Sequence, residues 1–150
     1  QTCALPISIE LFLVIDITMT ETYKNTLLIA QAAFEKLTYG LATGEWEQFL
    51  DMLTDDFTFW FPLGEFHGLN QGKDRAREFF QYVSEAYSEG LSITSLDHIT
   101  SNETTVVFEF RDEGLMWGKT YKNRVAISLD VRGDKVCAYR EYLGSDGKSN

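Results

Sequence analysis

From Gly90 to Leu143 the chain shows no helical periodicity, and this most narrows what it can fold into. Four strand-like runs fill the stretch, about 91–100, 104–112, 119–131 and 135–143. Asn102-Glu103 and Arg132-Gly133-Asp134 carry the residues that hairpin turns favour. Such a run of antiparallel strands must bury one face against something else. The first half of the chain supplies the partner. From Asn25 to about Thr43, Leu27, Ala30, Phe34, Leu37 and Leu41 step by three and four, which is one face of an amphipathic helix. Trp46, Phe49, Leu50 and Leu53 repeat that spacing in a short second helix after Gly44. Phe57–Phe61 reads as a strand stopped by Pro62, and Gly64, Gly68 and Gly72 mark a loop. A third helix opens near Asp74, turns Ala76, Phe79, Phe80, Val83 and Tyr87 to one side, and ends at Gly90. Helices first and a meander of strands after them predict α+β rather than a doubly wound sheet.

The amino-terminal residues stand apart from this pattern. Gln1-Thr2-Cys3-Ala4-Leu5-Pro6-Ile7 reads as the translation of a sequencing-library adapter. Residues 8–18 are apolar but interrupted by Glu10 and Asp16, without the basic start of a signal peptide. They are also shorter than the ~20 residues a membrane helix needs. The expectation is a non-native or disordered leader over 1–18 and one domain over 19–150, starting at Met19. Within that domain Cys137 is the sole thiol, so no internal disulfide is possible and a cytoplasmic location is expected. The net charge of −10 speaks against a nucleic-acid partner, because phosphate contact needs clustered Lys and Arg.

Two motifs carry a family resemblance. Gly44-Glu45-Trp46, Asp55-Asp56-Phe57-Thr58-Phe59-Trp60-Phe61 and Pro62-Leu63-Gly64 are similar, in order, to the helix start, acidic turn, strand and Pro-x-Gly of ketosteroid isomerases. Asp134-Lys135-Val136 and Tyr139-Arg140-Glu141-Tyr142-Leu143 resemble the terminal strand of SnoaL-like proteins. The chain thus resembles the SnoaL-like, ketosteroid-isomerase-related branch of the nuclear-transport-factor-2-like superfamily. That resemblance implies a cone-shaped, curved antiparallel sheet closed by three helices around a hydrophobic pocket, and a homodimer through the sheet's outer face. It does not carry the isomerase chemistry across. The base before Pro-x-Gly would fall on Phe61 and the oxyanion tyrosine on Leu37, while 124–126 offers no carboxylate for the protonated aspartate. Steroid isomerisation is therefore not expected.

Glu141 is the first catalytic candidate. Strand alternation puts Tyr139, Glu141 and Leu143 on one face, which by the resemblance looks into the pocket. A carboxylate there would titrate high and serve as base or acid, unless Arg140, Arg124 or Lys122 simply neutralises it. His98, beside Asp97, is the second: either a proton shuttle or a strand imidazole bonded to a neighbour. Phe61, Trp117 and Tyr139 are expected to line the cavity. Tyr121 and Asn123 would orient a ligand or satisfy a strand end. Met116-Trp117-Gly118 is odd as a solvent loop and suggests a lid or a dimer contact. Asp112 follows Phe110-Arg111, where related epoxide hydrolases have Arg-x-Asp. The arginine position is Phe110 here, so that set is broken. His67 and His98 with one cysteine make no metal-ligand spacing, and no cofactor is expected.

Three readings follow. One is a cofactor-free acid–base enzyme of cyclase, isomerase or hydratase type on a small hydrophobic molecule. The others are a pocket or dimerisation module that binds a hydrophobic ligand without turnover, and a protein-interaction domain. No membrane partner is expected.

Overall fold

The computed structural model of the protein describes residues 7–145, and side chains from Glu21 onward. Helix α1 spans Ile7–Thr43, so it runs through the second part of the expected leader and through Met19, while the residues before it lie outside those described. Short α2 (Glu47–Leu50), strand β1 (Leu53–Phe61) and β2 (Gly68–Gln71) lead to α3 (Lys73–Ala86). Then come β3 (Leu91–Ser101), β4 (Thr105–Met116), β5 (Lys119–Arg132) and β6 (Lys135–Leu143).

All six strands form one curved sheet in the order β2-β1-β6-β5-β4-β3, and only the β1–β6 pairing is parallel. The four expected carboxy-terminal strands are present. The expected loop at Gly64–Gly72 is more ordered than the glycines suggest. A 3₁₀ turn over Gly64–Phe66 precedes β2, which pairs with β1 as an edge strand. Asp55-Asp56, expected as a turn, lies inside β1 where its register against β6 shifts.

Alternation sorts the sheet into two faces. On β4, Val106, Phe108, Phe110 and Asp112 are buried, while Glu109 and Arg111 are exposed on the other side. Besides the shift in β1, three register shifts bend this pattern. In β6, Val131 sits opposite Val136 but Asp130 opposite Ala138, leaving Cys137 as an extra residue. That bulge reverses the parity of the strand, so Val136 and Tyr139 are both buried in the core. Two further shifts occur in β3, at Ile93/Ser95 and at Leu96/His98.

The concave face packs on α1 and α3 through aromatic rings. Phe34 of α1 stacks on Phe108 at 4.2 Å and meets Phe110 edge-on at 5.5 Å. Phe79 of α3 touches Phe59, Phe61, Phe66 and Phe80, with centroids 4.9–5.2 Å away. Each such ring contributes roughly 1.5–3 kcal/mol through burial. The second helix is fixed by Trp46, whose indole lies on Phe80 and donates to Ser84 Oγ at 2.6 Å.

On the outer face Arg140 makes a two-pronged ion pair with Asp130 (2.7 and 2.8 Å), and Thr105 donates to the same carboxylate. The turn after Ser101 is an Asx turn: Asn102 Oδ1 accepts the N–H groups of Thr104 and Thr105, both at 2.9 Å.

Gly90 joins α3 to β3 at φ +87°, and a β-carbon there would come within 2.4 Å of the Ala42 carbonyl oxygen. Gly118, at φ +78°, has open space around the same position. Gly90→Ala is therefore expected to lower unfolding free energy in urea by roughly 3 kcal/mol, and Gly118→Ala by about 1 kcal/mol. Equal losses in the two variants would show that the close approach to α1 carries no weight.

Candidate active site

The curved sheet, α1 and α3 enclose a cavity of about 240 Å³. Its depth is hydrocarbon: Leu37 and Leu41 from α1, Phe79, Phe80 and Val83 from α3, and Phe110, Val125 and Ile127 from the sheet. The positions at which the resemblance would place an isomerase's tyrosine and base, Leu37 and Phe61, are both in this wall. Exposed lining residues mark the mouth, among them Leu63, Tyr82 and Trp117.

Trp117 and Gly118 form a two-residue hairpin turn between β4 and β5, both with positive φ (51° and 78°). A tryptophan rarely takes that backbone conformation. It is held by a 2.7 Å hydrogen bond from its N–H to the Ala86 carbonyl at the end of α3. The ring rests edge-on to Tyr82 at 6.1 Å and is 58% exposed. The hairpin tip is thus tied to α3 across the cavity entrance.

One end of the cavity is polar. Tyr87, which follows α3, joins Asp112 of β4, Tyr121 of β5 and Tyr139 and Glu141 of β6. The Cys137 bulge is what turns Tyr139 and Glu141 inward. Tyr139 is buried and its hydroxyl donates to Glu141 Oε1 at 2.5 Å. Glu141 is half-buried, with its open side on the cavity. Burial pushes its carboxyl up to about 7, against the hydrogen bond from Tyr139, which favours the ionised form. Two of the three cations that the sequence offers it are engaged elsewhere, Arg140 on Asp130 and Lys122 on Glu113 at 3.3 Å. The third, Arg124, lies opposite Arg111 on the exposed face, where its charge acts on Asp97.

Asp112 is 4% exposed, and its Oδ1 has no hydrogen-bond partner. Burial, and then the charge of Glu141, push it too up to about 7. The tyrosines respond in the same sense. Burial and then Asp112 raise Tyr121 to about 12, burial and then Tyr121 raise Tyr87, and burial and then Glu141 raise Tyr139. All three stay protonated and act as hydroxyl donors.

Of the expected site residues, Glu141, Phe61, Trp117, Tyr121 and Tyr139 all line the cavity. His98 does not. It lies opposite Glu109 on the exposed, convex side of the sheet, because the register shift after Leu96 turns it away from the side that Leu96 shares with Phe110. Asn123 is also absent from the lining. Its amide donates to the Tyr121 hydroxyl and to the Ser145 carbonyl, both at 3.1 Å, and its oxygen accepts from the Arg124 and Ser145 N–H groups. It therefore positions Tyr121 and the end of β6, which is the strand-end alternative. The sequence pattern undervalued Asp112 and Tyr87. For Asp112 the signal was simple alternation with Phe108 and Phe110. Among the described residues no group of His, Cys, Asp or Glu is arranged to hold a metal ion, and no helix is long and apolar enough to cross a membrane.

Comparison with known proteins fits this geometry. Residues 34–139 match the SnoaL-like domain family. A comparison with curated proteins finds no match. Among solved structures, an NTF2-like protein from Anabaena variabilis is 74% identical over 84% of this chain and 94% of its own, with a TM-score of 0.81. The epoxide hydrolase/cyclase-like enzyme SalBIII, from pyran ring formation in the polyether salinomycin, is 18% identical over 83% of this chain and 94% of its own, with a TM-score of 0.63. TerC, co-crystallised with polyporic acid, is 17% identical over 79% and 91%, with a TM-score of 0.65. At those lower identities the likeness is one of fold. The chain belongs to the SnoaL-like family of the NTF2-like superfamily.

Proposed function

We propose that the protein is a cofactor-free acid–base enzyme, of cyclase, isomerase or hydratase type, that acts on a small hydrophobic molecule held in this cavity. The observation that carries this reading is Glu141: a carboxyl facing an apolar hollow, held by one tyrosine hydroxyl and unpaired with the nearby cations. A carboxyl that titrates near neutrality can both take and return a proton at ordinary pH. Tyr139 fixes its orientation. Tyr121 offers a hydroxyl donor where negative charge develops on a substrate oxygen. Phe61 and Trp117 shape the entrance, and the Trp117 hairpin keeps water from the bound molecule. SalBIII, named as an epoxide hydrolase/cyclase-like enzyme, supports this class of chemistry on the fold. The Leu37 and Phe61 wall argues against ketosteroid isomerisation.

The same reading makes the protein a cytoplasmic homodimer that joins through the convex side of the sheet. Trp60 and Tyr142 stack there at 5.5 Å, and Tyr142 is half exposed.

Mass spectrometry of molecules retained through native purification identifies the ligand. Incubated with it in D₂O, the wild-type protein is expected to exchange a substrate hydrogen faster as pH rises through about 7, when Glu141 ionises. Glu141→Gln is expected to slow that exchange at least ~100-fold. Undiminished exchange in this variant would end the assignment.

A second expectation concerns stability. Glu141 and Asp112 titrate higher in the folded chain than their ordinary 4.5 and 3.8, so the native state holds more protons than the unfolded state between those values and about 7. Their favourable contribution is complete below about pH 4 and is lost as pH rises through about 7. Glu141→Gln should match wild type near pH 4 and exceed it above about pH 7 by on the order of 2–3 kcal/mol in urea melts. Tyr139→Phe, which removes the bond favouring the ionised form, should raise the Glu141 pKa further in carbon-13 NMR titration. A lowered value would contradict the assigned role of Tyr139.

A further inference from the structure

All the formal charge lining the cavity has one sign. Glu65 stands exposed at the mouth, Asp112 and Glu141 stand inside, and none of the described lining residues is Lys, Arg or His. The groups facing Asp112 are Tyr87 after α3, Tyr121 on β5 and Tyr139 and Glu141 on β6. The Tyr139 hydroxyl goes to Glu141, the Tyr87 hydroxyl to Met116 Sδ at 3.5 Å, and the Asn123 amide beside them to Tyr121 and Ser145. The Tyr121 hydroxyl, which accepts from Asn123, makes no hydrogen bond to Asp112 Oδ1. Asp112 Oδ1 is left as a buried acceptor with no donor, and buried polar atoms are rarely left so.

We infer that the cavity is built for a small hydrophobic amine, bound as its ammonium ion with an N–H on Asp112 Oδ1 and its apolar body among the aromatic rings. This rests on the reading of the cavity as a small-molecule site and names the chemical class it takes. Charge balance supports it. Near neutrality the two inner carboxyls carry about one negative charge between them, in a place that solvates charge poorly. A monocation cancels that charge, an alcohol leaves it, and a carboxylate ligand doubles it. The rings of Phe61, Tyr82 and Trp117 near the mouth offer faces that attract a passing cation, while the face of buried Phe66 already carries the Arg75 guanidinium at 4.1 Å. Size sets the rest. A dry cavity of roughly 150 Å³ holds a benzene, so about 240 Å³ takes one ring with a short arm.

Calorimetric titration of the full chain with phenethylamine, phenethyl alcohol and phenylacetate separates the possibilities, since the three differ chiefly in the polar head. At about pH 7.5 the amine should bind at least ~10-fold more tightly than the alcohol, and phenylacetate at least ~10-fold more weakly than the alcohol. At about pH 5, with both carboxyls protonated, the amine-to-alcohol ratio should fall to within about 3-fold. Asp112→Asn should bring the ratio to the same range at the higher pH. If that variant does not fold, the pH series on the wild-type chain decides alone. An alcohol that binds as tightly as the amine at the higher pH, or a preference that survives acidification, overturns the amine assignment and leaves the pocket reading standing. A folded chain that binds none of the three overturns the pocket reading itself.

Discussion

The hollow exists because the sheet is held bent. A flat sheet would let α1 settle on it and close the space, as helix-on-sheet packing ordinarily does. Here the bulges curve the strands, and the Phe34–Phe108 stack fixes α1 against one side of the curve. The cluster around Phe79 does the same for α3 on the other. Rigid aromatic contacts at two sides leave room between them, and the tethered Trp117 hairpin spans the opening. The cavity is thus framed by the parts of the core that pack best.

Within that frame the electrostatics follow from what is missing. Two carboxyls sit in hydrocarbon without a cation, while the arginine next to Glu141 in sequence is turned outward and satisfied by Asp130 and Ser128. Isolated in this way, the acids keep their protons to near-neutral pH, and the three tyrosines keep theirs well beyond it. The result is a compact set of donors and titrating groups with no cationic side chain among the described lining residues.

Much of this was readable from the chain, and the failures are instructive. The 3-4 spacing of Ala30, Phe34 and Leu37 and the alternation of β4 and β5 gave the helices, the strands and the layer order directly. Glu141 was expected to face the pocket because it shares parity with Tyr139, and it lines the cavity. His98 was misplaced because an inserted residue in β3 flips parity, and nothing in Leu96-Asp97-His98 announces it. Asn123 looked like a ligand contact because a polar residue beside Tyr121 can serve either purpose, and only the position of Ser145 decides. Asp112 was passed over when its neighbours failed to match a known pattern, although its alternation with Phe110 already pointed inward. Edge strand β2 was hidden by its flanking glycines, whose positive φ angles shape the turns on either side of it.

The extra residue at Cys137 has a consequence for how such a scaffold changes its preferences. Deleting Cys137 would leave Val136 opposite Val131 and Ala138 opposite Asp130, so Tyr139 and Glu141 would still face the hollow from a now regular strand. Straightening the bulge with every residue kept would instead turn Arg140 and Tyr142 inward and Glu141 outward, setting a guanidinium in the same hollow as Asp112. A lineage carrying this architecture can therefore alter the polarity of what it accepts through strand register alone, a route that comparison by residue identity would overlook.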